Sequence, residues 1–133
     1  MPGVELSRAG AILAVSDLGR SLAFYRDTLG LELAALYDDP PYATLHGAGA
    51  RISLAEQGHA AEDRPGVELR APAGRSSVSV VLVLEVADAA AAHETLRREG
   101  VEFLAEPYAP PWGGLRFFCV DPDGHLIEIE QPA

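Results

Sequence analysis

"AILAVSDLGRSLAFYRDTLGLEL", residues 11–33, decides the fold once it is laid beside "LVLEVADAAAAHETLRREGVEFL", residues 82–104. Each stretch opens as an alternating strand, reaches an aspartate (Asp17, Asp88) and enters a helical pattern. Leu18, Leu22, Tyr25 and Leu29 recur at helical spacing in the first, and Ala89, His93 and Leu96 hold the matching stripe in the second. An aspartate at the start can accept the unpaired N–H groups of a first turn. A glycine just past the end (Gly30, Gly100) takes the left-handed conformation that stops a helix. Both stretches then resume as a strand.

The back halves match as well. "PPYATL" (40–45) parallels "PPWGGL" (110–115), and "ARISLAE" (50–56) parallels "HLIEIEQ" (125–131). The offset is 71 residues at the aspartates, 70 at the glycines and 75 at the last strand, the extra residues lying around the turn Asp121–Gly124. Two copies at so long a period make a duplicated module, not a solenoid. Residues 56–77, rich in Gly, Pro and charge, read as a linker with a short strand expected at Val67–Leu69. The expected layout is one domain over 1–133, with module 1 at about 8–57, linker at about 58–76 and module 2 at about 77–131. The fold class is α+β: two tandem βαβββ modules form a curved mixed sheet, with helices on the outer face and a concave ligand cup on the other.

Composition narrows the function. Of 133 residues, 48% are hydrophobic and 23% charged, as in ordinary globular proteins. A net charge of -10 argues against nucleic acid, whose phosphates need clustered Lys and Arg, and suits a cationic ligand or simple solubility. The single cysteine, Cys119, sits in an apolar strand and reads as a buried, inert thiol. There is no apolar run of bilayer length and no signal pattern, so no membrane role is expected and the cytoplasm is the default. No Gly-rich phosphate loop follows a strand, and no Gly-x-Ser-x-Gly elbow occurs.

The stretches "VSDLGRSLAFYRDTLGLEL", "EVADAAAAHETLRREGVEFL" and "DPDGHLIEIE" resemble the vicinal-oxygen-chelate superfamily. It groups glyoxalase I, bleomycin-resistance proteins, fosfomycin-resistance enzymes and extradiol dioxygenases. The likeness runs from about Gly10 to Gln131 and spares the linker. In the family's metalloenzymes, four ligands face the cup, two from each module. Carried over by position, these are Gly10, Ser53, Val81 and Glu128, of which Glu128 alone has ligand chemistry. A divalent ion needs several His, Asp, Glu or Cys donors at once. No metal and no cofactor are therefore expected. His46, His59, His93 and His125 fall in a strand, the linker, a helix and a turn, without the spacing of a replacement site. His93 is expected partly buried on the packing stripe and His125 exposed.

Period-two alternation sends Gly10, Ile12 and Ala14, then Val81, Val83 and Glu85, toward the cup. Arg51, Ser53, Ala55, Leu126, Glu128 and Glu130 join them from the last strands. The cup is then mainly apolar, with Glu128, Glu85, Ser53 and Arg51 as its sparse polar groups. A structural pair between Glu128 and Arg51 is the competing reading. The loop "PYAPPWGG" (107–114) adds Tyr108 and Trp112, and its repeat mate adds Tyr42, rings suited to clamping a planar or cationic ligand. For Trp112 the alternatives are capping the core or filling a dimer interface.

The resemblance implies a metal-free, cytoplasmic protein of the bleomycin-resistance type, sequestering an aromatic or cationic small molecule, with antibiotic resistance as the biological setting and a homodimer as the assembly. The rival is a lyase or isomerase, with a relocated metal or with metal-free acid–base chemistry at Glu128. A third reading gives the groove to a peptide or another subunit.

Overall fold

The computed structural model describes residues 3–74 and 76–133; Arg75, within the expected linker, lies outside the described residues. The chain divides into two compact units, Met1–Ala71 and Pro72–Ala133, parting inside the segment read as a linker.

The first unit runs β1 (Gly10–Val15), α1 (Leu18–Leu22) with a π-helical continuation (Ala23–Thr28), β2 (Glu32–Asp38), β3 (Pro41–Gly47) and β4 (Ala50–Glu56). Its mixed sheet has the order β1-β4-β3-β2, with β1 parallel to β4 and the other neighbours antiparallel. The face toward the helix carries Leu13, Val15, Ala43, Leu45, Ile52 and Leu54, all buried, together with Leu18, Leu22 and Tyr25. The opposite face carries smaller or polar groups in register: Ile12 with Ser53 and Thr44, Gly10 with Arg51 and His46.

The second unit repeats the plan: β5 (Val81–Glu85), α2 (Ala89–Arg98), β6 (Glu102–Phe103), β7 (Leu115–Val120) and β8 (Leu126–Gln131), in the order β5-β8-β7-β6. Ile127, Ile129, Phe117 and Cys119 are buried on the helix side with Ala89 and Leu96. His93 completes this core, half-buried as its stripe position requires, with its ring 4.3 Å from Phe103 and 5.0 Å from Phe117.

Both helices start by the same device. Asp17 accepts the Arg20 N–H and Asp88 the Ala91 N–H, each at 3.0 Å. A side chain from the end of the last strand then takes the N–H of the first helical residue. Glu56 Oε2 accepts from Leu18 at 3.1 Å, and Gln131 Oε1 accepts from Ala89 at 2.9 Å. Four such N–H groups are orphaned at any helix start, and here the repeat fills two of them from equivalent positions. Both helices end at a glycine in the left-handed region, Gly30 (φ +87°) and Gly100 (φ +79°).

Three expectations are corrected. Val67–Leu69 forms no strand: Val67 closes a turn instead, its N–H donating to the Arg64 carbonyl (3.2 Å) and its carbonyl accepting from Arg64 Nη1 (2.8 Å). His125 is half-buried, not exposed, because its N–H donates to Asp121 Oδ1 (2.8 Å) and its carbonyl accepts the Asp121 N–H (3.1 Å), folding the turn over it. The first helix does not keep α spacing to its end. The Leu29 N–H donates five residues back to Phe24 (2.9 Å), and the wider turn rotates Leu29 off the buried stripe to a half-exposed position. No helix among the described residues is long and apolar enough to cross a membrane.

Candidate functional site

Strand alternation in the second unit lays out one sheet face opposite α2. Across it the register gives three rows: Val81–Leu126–Val120, Val83–Glu128–Phe118 and Glu85–Glu130–Arg116. Glu128 is only 8% exposed. A buried carboxylate needs a partner, and it has one on the neighbouring strand: Arg116 Nη1 donates to Glu128 Oε2 at 3.3 Å.

The guanidinium of Arg116 is also the hub of an aromatic cluster. Its central carbon lies 5.2 Å from the Phe118 ring centroid, 5.5 Å from Trp112 and 5.8 Å from Tyr108, within cation–π range of all three. The backbone explains why the rings converge. Tyr108 exchanges both of its backbone hydrogen bonds with Arg116, at 2.8 and 2.9 Å, which pins the loop to β7. Between Tyr108 and β7 the chain turns at Pro110–Gly113, closed by the Gly113 N–H on the Pro110 carbonyl at 3.0 Å. Gly114, at φ +83°, passes so close to the Gln131 carbonyl that a Cβ there would collide with it. Trp112 is left 70% exposed and Tyr108 53%.

Beside the cluster lies a cavity of about 280 Å³, lined by Leu104, Pro107, Tyr108, Phe118 and Arg116, with Glu106 among its walls. It opens because β6 is short. Leu104 still donates to the Phe118 carbonyl (3.1 Å), then the chain leaves β7 and rejoins it only at Tyr108. Three residues thus stand opposite Phe117, and one of them, Pro107, has no N–H to offer a ladder.

Of the residues expected at the site, Trp112, Tyr108 and Glu128 come together around Arg116. Glu85 is exposed at the end of β5, in the row of Arg116 and Glu130. The first unit holds the others: Tyr42 beside Tyr37 (ring centroids 6.3 Å apart), Arg51 exposed in the register of His46, and Ser53 fully buried with its hydroxyl 3.2 Å from that of Thr44. The pairing weighed for Glu128 with Arg51 is corrected, since Arg116 holds the carboxylate. Sequence reading missed Arg116, although it lies at even spacing from Phe118 and two residues past the aromatic loop. Its Nε is buried without a hydrogen-bond partner among the described residues.

The side chains at the family's metal positions do not fit a divalent ion. A Cβ on Gly10 would stand 2.5 Å from the Arg51 carbonyl oxygen, so no ligand side chain enters there without moving β4. Val81 has no donor atom, the Ser53 hydroxyl is engaged by Thr44, and Glu128 is engaged by Arg116. Among the described residues, no three His, Cys, Asp or Glu side chains gather in a metal-holding group. Cys119 is buried, and that burial, aided by the charge of Asp121, pushes its thiol up to about 11.

Known proteins agree with this architecture. The YraH protein of Bacillus subtilis is 30% identical over 118 residues, covering 88% of this chain and 91% of its own. The lactoylglutathione lyase of Salmonella typhimurium is 34% identical over 126 residues, covering 89% and 87%. Among solved structures, a glyoxalase/bleomycin resistance protein/dioxygenase from Nocardioides superposes with a TM-score of 0.75 at 26% identity, covering 98% of this chain and 85% of that one. TnmS3, an antibiotic binding protein from Streptomyces sp. CB03234, shares the fold with a TM-score of 0.75 at 24% identity, covering 98% and 100%. The family model for the Glyoxalase/Bleomycin resistance protein/Dioxygenase superfamily matches residues 8–129, and with the duplicated βαβββ plan it places the chain: the protein belongs to that superfamily.

Proposed function

We propose that this protein binds and sequesters a small aromatic or cationic molecule without a metal ion, in the cavity lined by Tyr108, Phe118 and Arg116, with Trp112 beside it. One observation carries the reading: the exposed Tyr108 ring lines a cavity beside β7 with Phe118 and Arg116, and the exposed Trp112 ring joins them across the Arg116 guanidinium at 5.5 Å, while the carboxylate at the one surviving metal position is held by Arg116. Exposed rings on a Pro/Gly-stiffened loop lose little freedom when a flat ligand stacks on them. The shared fold of an antibiotic binding protein is consistent with this, and antibiotic sequestration is the setting it suggests. By family resemblance the protein is proposed to work as a cytoplasmic homodimer.

Trp112 is the single tryptophan and lies against Arg116, a wall of the cavity, so its fluorescence reports on the site. Titration with a panel of aromatic and cationic antibiotics, with and without a chelator, is expected to give saturable quenching that the chelator leaves unchanged. Absence of saturable quenching across the panel, or quenching that needs a divalent ion, rejects the proposal. The likeness to lactoylglutathione lyase supports a second, enzymatic reading, in which Glu128 moves a proton after release from Arg116. That reading requires lactoylglutathione formation by the purified protein, abolished in Glu128→Gln.

A further inference from the structure

We propose that Arg116 is a built-in competitor for the cation seat of this pocket, and that the preferred ligand is a flat aromatic cation that displaces the guanidinium from Trp112 and Tyr108. This rests on the reading of the cluster as a small-molecule site and adds to it the ligand's charge and the residue that sets it.

Three features of the pocket support the inference. First, the three rings already solvate a positive group: Phe118, Trp112 and Tyr108 surround one guanidinium at 5.2, 5.5 and 5.8 Å. The negative faces of aromatic rings favour any cation placed there, and a delocalised, weakly hydrated one most. Second, the carboxylate grips the resident cation at one point only. A guanidinium fork on a carboxylate normally makes two short bonds. Arg116 makes one at 3.3 Å to Glu128, and its Nε is buried without a partner among the described residues, a standing cost that leaving the seat removes. Third, the displaced group has acidic neighbours to move toward. Glu130 is its register partner across the ladder, and Glu106 lines the adjoining cavity. Glu85, Glu128 and Glu130 share this face with Arg116, so an incoming cation enters a field of favourable sign and an anion does not. Trp112, mostly exposed, accepts the new partner without the core opening.

The test compares N-methylquinolinium with neutral quinoline, two probes of nearly the same shape, by calorimetric titration of the wild type and Arg116→Gln. Glutamine keeps a donor for Glu128 and removes the competing charge. Arg116→Gln is expected to bind N-methylquinolinium about tenfold tighter, with quinoline changed by no more than about twofold. In the wild type, the Arg116 Nε–H nitrogen-15 resonance is expected to move on addition of N-methylquinolinium, a readout that holds even if the glutamine variant is unstable. Cation affinity that falls or stays level in Arg116→Gln, or a bound cation that leaves the Arg116 resonance in place, overturns the proposal while the site reading stands. No binding of either probe to either protein removes the site reading itself, and the proposal with it.

Discussion

Trp112 and Cys119 show how burial separates a working side chain from a silent one. The tryptophan is 70% exposed, with the Arg116 guanidinium 5.5 Å from its ring centroid. Trp112→Ala is therefore expected to leave unfolding stability within about 0.5 kcal/mol of wild type in urea titrations. It should weaken aromatic ligands about tenfold in calorimetry. A large loss of stability would instead make Trp112 a core residue. Cys119 is the opposite case. The thiolate is the reactive form, and with the thiol held up to about 11 the folded protein is expected to resist an aromatic disulfide reagent at pH 8. The same reagent should titrate one thiol in full once urea unfolds the chain. Glu128 lies between these extremes: alternation placed it on the open face, but the arginine that answers it stands on a different strand.

At the scale of elements, the helix starts carry the repeat's energetics. Gln131 and Glu56 reach the first N–H of α2 and α1 from the ends of their last strands, so each ties a helix to the sheet beneath it. Gln131→Ala is expected to cost about 1 kcal/mol in urea unfolding, the usual worth of a lost cap, with α2 hydrogen exchange accelerated first. Further along α2, Glu94 sits at 2.7 Å from Arg97 and 3.3 Å from Arg98. The Arg97 hydrogen bond leads in holding its carboxyl down to about 2, against an ordinary 4.5. The folded value lies below the unfolded one, so this stabilisation is complete above pH 4.5 and disappears as pH falls toward 2. Thermal melts of wild type and Glu94→Gln are expected to differ at pH 7 and to converge near pH 2. Added salt should narrow the difference, because the pair faces water.

For the whole molecule, the side chains at the family's metal positions set the chemistry. A Cβ on Gly10 would collide with the Arg51 carbonyl, Val81 is apolar, and Ser53 and Glu128 each have a protein partner. Purified protein is expected to contain no stoichiometric transition metal by elemental analysis, and its melting temperature should not move with a chelator or with added nickel or zinc. A chelator-sensitive melt would mean that donors outside these four positions hold an ion. Gly10→His is expected to destabilise the first unit without creating metal affinity, since β4 must shift to admit any side chain there.

The sequence by itself determined the local order of both units. Asp17 and Asp88 start helices, Gly30 and Gly100 end them, and the first, second and last strands of the two units match at offsets of 71, 70 and 75 residues. These are properties of a few neighbouring residues, read from capping chemistry and from periods of two and three to four. It also fixed two of the four metal positions, Gly10 and Val81, by simple absence of donor atoms. The match of 40–45 with 110–115 is corrected, because Pro110–Gly113 forms a turn and most of the extra residues lie before β7, not around Asp121–Gly124. Only the tertiary structure decided who meets whom. Arg116 and Glu128 sit twelve residues apart on adjacent strands, and their meeting depends on the register of β7 against β8. The cavity depends on how far β6 follows β7 before Pro107, and the five-residue bonds at Leu29 on packing that no linear period records. Register and strand length emerge from the summed contacts of whole elements, so alternation named the face of Glu128 but left its partner unassigned.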